Sequence, residues 1–209
     1  MLAKTLSPEL LRIAQHGEGN SLREITTAFS QAAKASGCFI ENDACSQFGS
    51  LKRRRSGESL VYVPPAGDEI IKIKNPTAKQ HIKASQPSDW PFEHIIHNIL
   101  FPETAYEFIG ISEELGEPRI ILNQSNVESV AFPPDEQIAD YLQNVLGLIP
   151  EDRYFFGNKV LSVTDVGAHS DNVLLGDDNR LYFIDPLIRL KKPALVAIEY
   201  LTGATLTCA

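Results

Sequence analysis

Residues 163–186, VTDVGAHSDNVLLGDDNRLYFIDP, read as a strand, a polar loop, a short strand, a turn and a second strand that ends on an acid. The turn Gly176-Asp177-Asp178-Asn179 is made of residues that tolerate positive φ or form Asx turns. Val173-Leu174-Leu175 on one side and Leu181-Tyr182-Phe183-Ile184 on the other are strand formers. The pattern predicts a hairpin with Asn172 just before its first strand and Asp185 at the end of its second. The two ends of a hairpin are neighbours, so an amide oxygen and a carboxylate are expected side by side. Oxygen ligands on a rigid hairpin suit a hard cation such as Mg²⁺. For either residue alone, an Asx group capping a turn is a serious alternative.

Upstream of this stretch, Pro133-Pro134-Asp135 predicts the start of a helix running to about Leu146, with Ile138, Tyr141, Leu142 and Val145 on one face and Gly147 ending it. Asn123-Gln124-Ser125-Asn126 reads as a polar linker, the best internal boundary in the chain. Before it, Ala105 to Ile111 and Arg119 to Leu122 are expected strands joined by an acidic loop, Glu113 to Glu117. Phe92 to Leu100 predicts a short amphipathic helix with Glu93 near its start; His94 and His97 on it are a weak metal pair, more simply explained by packing or exposure. After Pro186, residues 187–209 predict a short helix or strand.

Nearer the N-terminus, Ser59 to Val63 and Glu69 to Lys74 predict an antiparallel hairpin around the turn Pro64 to Asp68. Ile71 and Ile73 then face one way, and Ile70, Lys72 and Lys74 the other. On the strand alone, lysines defending an exposed edge are the plainer reading; a cleft-facing lysine reaching for phosphate is the sharper one. Lys52-Arg53-Arg54-Arg55 is expected at a solvated hairpin tip bracketed by Gly49 and Gly57. Residues 7–35 predict two helices, the second capped by Ser21 and running from Leu22 to Ala35, with Gly37 ending it. Gly17 and Gly19 between them read as a linker rather than a phosphate loop.

A chain of 209 residues, 43% hydrophobic and 22% charged, can bury a sizeable core as one large domain or two small ones. No apolar run approaches the ~20 residues of a membrane span. A net charge of −8 argues against bulk nucleic-acid binding. Cys38, Cys45 and Cys208 lack metal-ligand spacing, so free thiols in a reducing cytoplasm are expected.

The order of the parts carries more than any one of them. A strand lysine is followed about twenty residues on by a helix glutamate, then by two strands, a linker, a helix, and the loop with Asn172 and Asp185. This order resembles the protein-kinase-like fold, and is most similar to the small kinase-like domain of polyvalent proteins from phages and conjugative elements. Gly57-Glu58-x-x-Val61-Tyr62, Ile71-Lys72, His97-Asn98-x-Leu100-Phe101-Pro102 and Asn172-Val173-Leu174 carry the likeness, over residues 45 to 190.

The resemblance implies an α+β, two-lobed fold with an antiparallel β-rich N-lobe and a truncated, minimal C-lobe. Residues 1–44 would form a helical segment, 45–126 the N-lobe with one helix, and 127–209 the C-lobe with the metal-site hairpin. It implies ATP and Mg²⁺. Lys72 would hold the α- and β-phosphates and act in catalysis, Glu93 would pair with it, and Gln124 would lie in the hinge that meets the adenine. Asn172 and Asp185 would hold the metal. The kinase pattern has an aspartate five residues before the asparagine, where this chain has Gly167. Asp165 lies two residues earlier and Asp171 adjoins Asn172, so the base is either displaced or missing; Asp165 is the candidate, its spacing restored if Gly167-Ala168 bulges out. Asp185 is followed by Pro186-Leu187, and the 24 residues after it are too few for a full activation segment and helical lobe. A nucleotide-binding pseudokinase, or an interaction module acting through a protein partner, is the alternative.

Overall fold

The computed structural model describes residues 22–41, 47–55, 59–76, 90–167 and 171–203. The expected first helix with its following glycines, the Ser21 cap, Cys45 and Cys208 lie outside them. The chain divides into two compact units, one of residues up to Ile95 together with Tyr106–Asn126, the other of Ile96–Ala105 with Val127–Ala209.

The first unit is built on an antiparallel five-stranded sheet. Its strands are β1 (Ser50–Arg55), β2 (Ser59–Val63), β3 (Glu69–Lys74), β4 (Glu107–Glu114) and β5 (Glu117–Ser125), in the order β1-β2-β3-β5-β4. Three differences from expectation follow. Lys52–Arg55 belongs to an edge strand rather than a hairpin tip, because its backbone pairs with β2. β5 extends through Ser125, so Asn123, Gln124 and Ser125 are strand rather than linker: Gln124 pairs with Ile70 and Asn123 with Ile71. The β4–β5 connection is also tighter than expected, a two-residue turn with positive φ at both Leu115 (53°) and Gly116 (78°), the primed geometry that matches strand twist.

Period-two alternation sorts β3 as its sequence predicts. Ile71 and Ile73 join Ile121 in a core that also packs Leu60, Tyr62, Ile40, Phe48 and Ile109. Helix α1 (Leu22–Ser36) lies against β4 and β5 and stops at Gly37 (φ 72°), where Cys38 N–H returns to the Ala33 carbonyl. Phe29 of α1 meets Trp90 at the start of helix α2 (Trp90–Leu100), ring centroids 4.8 Å apart.

The second unit holds two further antiparallel sheets. One contains β6 (Ser129–Ala131), β10 (Val173–Gly176) and β11 (Leu181–Phe183), ordered β11-β10-β6; the other contains β7 (Ile149–Asp152), β8 (Phe155–Gly157), β9 (Leu161–Thr164) and β12 (Leu187–Leu190), ordered β12-β9-β8-β7. Helix α3 (Asp135–Asp140) continues into a π turn (Tyr141–Val145) and ends before Gly147 at φ 65°. The tail forms both expected alternatives, β12 and then helix α4 (Ala194–Thr202). Against Phe183 the Phe101 ring stacks at 4.5 Å and the Tyr141 ring lies tilted at 5.3 Å, giving this hairpin an aromatic floor.

Candidate functional site

The hairpin of β10 and β11 forms in the expected register, Val173 opposite Phe183. Its open end is closed by the Ile184 N–H donating to the Asn172 carbonyl at 2.8 Å, which sets Asp185 beside Asn172. A second ladder brings in Asp165. Thr164 pairs with Leu187, so the chain leaves β9 at Asp165 just where it enters β12 from Asp185-Pro186. Two strand registers thus gather Asp165, Asn172 and Asp185 at one place. Asn172 is buried, and its side-chain amide donates to the Asp165 carboxylate at 2.7 Å and to the Asp165 carbonyl at 3.0 Å.

The loop between them is shaped by backbone conformation. Asp165 (φ 59°) and Asp171 (φ 56°) both sit in the left-handed region, which aspartate tolerates better than most residues. Ala168–Ser170 lie outside the described residues, and with them the expected bulge. Gly167 beside it is tightly fitted, since a Cβ there would stand 2.8 Å from the Tyr154 ring. Next to this loop lies a cavity of about 320 Å³, with Val166 and Gly167 on its wall and Asp135, Glu136, Arg153 and Tyr154 as polar lining.

Two residues that sequence reasoning assigned no such role hold β11 in place. The Thr104 hydroxyl donates to the Phe183 carbonyl at 2.6 Å, and His97 Nε2 approaches the same oxygen at 3.2 Å. The His94 Nδ1 faces the Trp90 carbonyl at 2.7 Å. The two rings therefore each serve a backbone carbonyl, in agreement with the packing reading.

In the first unit, β3 is a central strand and Lys72 is only 4% exposed, so the edge-strand reading of its lysines is overturned. Register places Lys72 opposite Leu122 and Ile70 opposite Gln124, so Lys72 and Gln124 share one face of the sheet, both buried. Glu93 is half-buried on α2 of the same unit, next to His94, whose ring meets Tyr106 edge-on at 5.3 Å. Lys72 Nζ in turn lies 3.4 Å from the Tyr106 hydroxyl and above its ring. Tyr106, which sequence reasoning missed, thus touches both Lys72 and His94. Only a strand-start position marked it, 34 residues from Lys72.

Asparagine and aspartate oxygens at a hairpin end fit a Mg²⁺ ion, which takes one or two carboxylates plus phosphate oxygens and water rather than an all-protein cage. Donation from its Nδ2 to Asp165 turns the Asn172 Oδ1 away from that contact. Among the described residues, no group of three or more His, Cys, Asp or Glu side chains is gathered as a metal site. Nor is any described helix long and apolar enough to cross a membrane.

The chain mixes helices with antiparallel sheets and carries a buried lysine on a central strand and an Asn–Asp hairpin end. A family model described as serine/threonine/tyrosine kinase found in polyvalent proteins matches residues 23–192. The chain belongs to that family. No curated protein matches it significantly.

Proposed function

We propose that this protein transfers the γ-phosphoryl group of ATP, with Mg²⁺, to an acceptor hydroxyl. The observation that carries the reading is the Asn172–Asp165 hydrogen bond, with Asp185 next in the chain to Ile184, whose N–H is bonded to the Asn172 carbonyl. In this reading Lys72 neutralises charge on the α- and β-phosphates, Glu93 orients Lys72, and the backbone about Gln124 meets the adenine. Asn172 and Asp185 hold Mg²⁺, which when bound offsets the charge on the phosphate oxygens. Asp165 accepts the acceptor's hydroxyl proton as that oxygen bonds to phosphorus and the bond to the β-bridging oxygen breaks, releasing ADP. The Asn172 amide holds the Asp165 carboxylate for this, and an exposed carboxylate is within reach of an arriving acceptor. The test is ATP turnover by the purified protein and by Asp165→Asn. Loss of turnover with retained nucleotide binding supports the assignment; unchanged turnover contradicts it.

A second reading, a pseudokinase that binds nucleotide and acts through a protein partner, is favoured by the seven-residue separation of Asp165 and Asn172 and by Pro186 after Asp185. The same assay separates the two, because a pseudokinase binds MgATP and produces no ADP above background.

A further inference from the structure

Tyr154 stands at the tip of the β7–β8 hairpin, in the turn Arg153-Tyr154. β8 pairs with β9 through Phe156–Val163 and Gly157–Ser162. Carried two residues past Phe156, the same antiparallel register brings Tyr154 level with Asp165. The ring is half-buried and bears on the backbone that follows Asp165: a Cβ at Gly167 would stand 2.8 Å from its Cδ1 and 2.9 Å from its Cε1. The Arg153 guanidinium lies over the same ring, 5.0 Å from its centroid. Tyr154, Val166 and Gly167 all line the cavity beside this loop.

Gly167 is the place where the kinase pattern has an aspartate. Here a side chain does not fit, because the Tyr154 ring takes the space that a Cβ would need. The carboxylate that meets the Asn172 amide comes instead from Asp165, at 2.7 Å and with its backbone at φ 59°. That conformation is disfavoured for a residue with a Cβ, so the surroundings must hold it. On one side the Asn172 amide bonds the Asp165 carboxylate and carbonyl. Two residues on, the ring sets how far the backbone at Gly167 can move. It is the ring, not the phenolic oxygen, that makes this contact.

We propose that Tyr154 is a positioning residue for phosphoryl transfer: its ring, seated against Gly167, keeps the Asp165–Gly167 backbone in the conformation that presents the Asp165 carboxylate. This rests on the kinase reading of Asp165 and adds to it a residue from a different hairpin. A displacement of about 1 Å at a reacting group can cost about a hundredfold in rate, so loss of the ring reads out in turnover rather than in nucleotide binding.

The experiment measures ATP turnover, and MgATP binding by calorimetry, for wild type, Tyr154→Phe, Tyr154→Leu, Tyr154→Ala, Asp165→Asn and the double variant of Tyr154→Leu with Asp165→Asn. Thermal melting of each checks folding, and Tyr154→Leu keeps an apolar side chain in place should Tyr154→Ala fail to fold. In Tyr154→Leu, kcat is expected to fall about ten- to a hundredfold, with MgATP affinity within about twofold of wild type. Tyr154→Phe keeps the ring and should restore most of kcat. In the Asp165→Asn background Tyr154→Leu should lower the residual turnover no further, since no base is left to position; a merely structural ring lowers both backgrounds alike. Unchanged kcat in Tyr154→Leu, or an equal fall in both backgrounds, overturns the proposal and leaves the kinase reading standing. No ADP formed by wild type above background overturns both.

Discussion

The lysine pair of β3 and the Asp165–Asn172 pair are positioned by opposite means. Lys72 and Lys74 are held by regular structure: a central strand, a fixed pleat and a buried ring. Burial of two ammonium groups costs stability, and the sheet around them supplies it. Asp165 is exposed and sits in a left-handed backbone conformation, kept there by one amide from Asn172 and by the ladder that ends at Thr164. In the proposed reading, the exposed position of Asp165 next to Asn172 gives an incoming hydroxyl access to its carboxylate.

Substitutions at the two places should therefore fail in different ways. The largest effect is expected from Asp165→Asn, which keeps tolerance of the left-handed region and an oxygen for the Asn172 amide. Its ATP turnover should fall by about 10²–10⁴, with stability within about 0.5 kcal/mol of wild type in urea titration. Lys72→Met should weaken MgATP about a hundredfold and leave the unliganded melting temperature unchanged or raised, because a buried cation gives way to an apolar side chain of similar length. Asn172→Leu should cost about 1–3 kcal/mol in the same titration, since a buried side chain loses its hydrogen bonds to Asp165. Gly167→Ala should cost about 1–2 kcal/mol, as the added methyl meets the Tyr154 ring at 2.8 Å and the loop or the ring must move.

The smallest effect concerns an ion pair away from the site. Glu151 accepts from Lys191 and from Ser162, at 2.6 Å for the latter, and these bonds hold its carboxyl below the ordinary glutamate range. Its contribution is present above the unfolded carboxylate pKa and is lost as pH falls through the lower folded value. Glu151→Gln should melt a few degrees below wild type at pH 7, and the gap should close on acidification below about pH 4. A gap independent of pH would mean that volume or packing, not charge, is responsible.

The second unit's hairpin was legible because it is local. Val173–Gly176 and Leu181–Phe183 announce a hairpin by composition, and a hairpin brings Asn172 to Asp185 without further information. Asp165 was harder. Counting residues put Gly167 at the expected place, whereas two left-handed residues and the β9–β12 ladder deliver Asp165 to Asn172 across a longer loop. In the first unit, β3's alternation correctly separated its isoleucines from its lysines, yet the strand alone could not say that β5 would cover its far edge. That pairing turns two apparently defensive lysines into buried ones. Tyr106 was invisible for the same reason: its partners are 32 and 34 residues away, and nothing in its neighbourhood singles it out. Gln124 was misjudged because polar residues can continue a strand when one face is shielded.

The most direct test of the central claim is a thermal-shift titration with ATP, with and without Mg²⁺, on wild type and Asp185→Ala. A ligand that binds only the folded protein, at a hundred times its dissociation constant, stabilises by about 2.7 kcal/mol. A Mg²⁺-dependent shift of that order is expected in wild type, and its loss in Asp185→Ala. No shift at millimolar ATP, or a shift indifferent to both Mg²⁺ and Asp185, would contradict it.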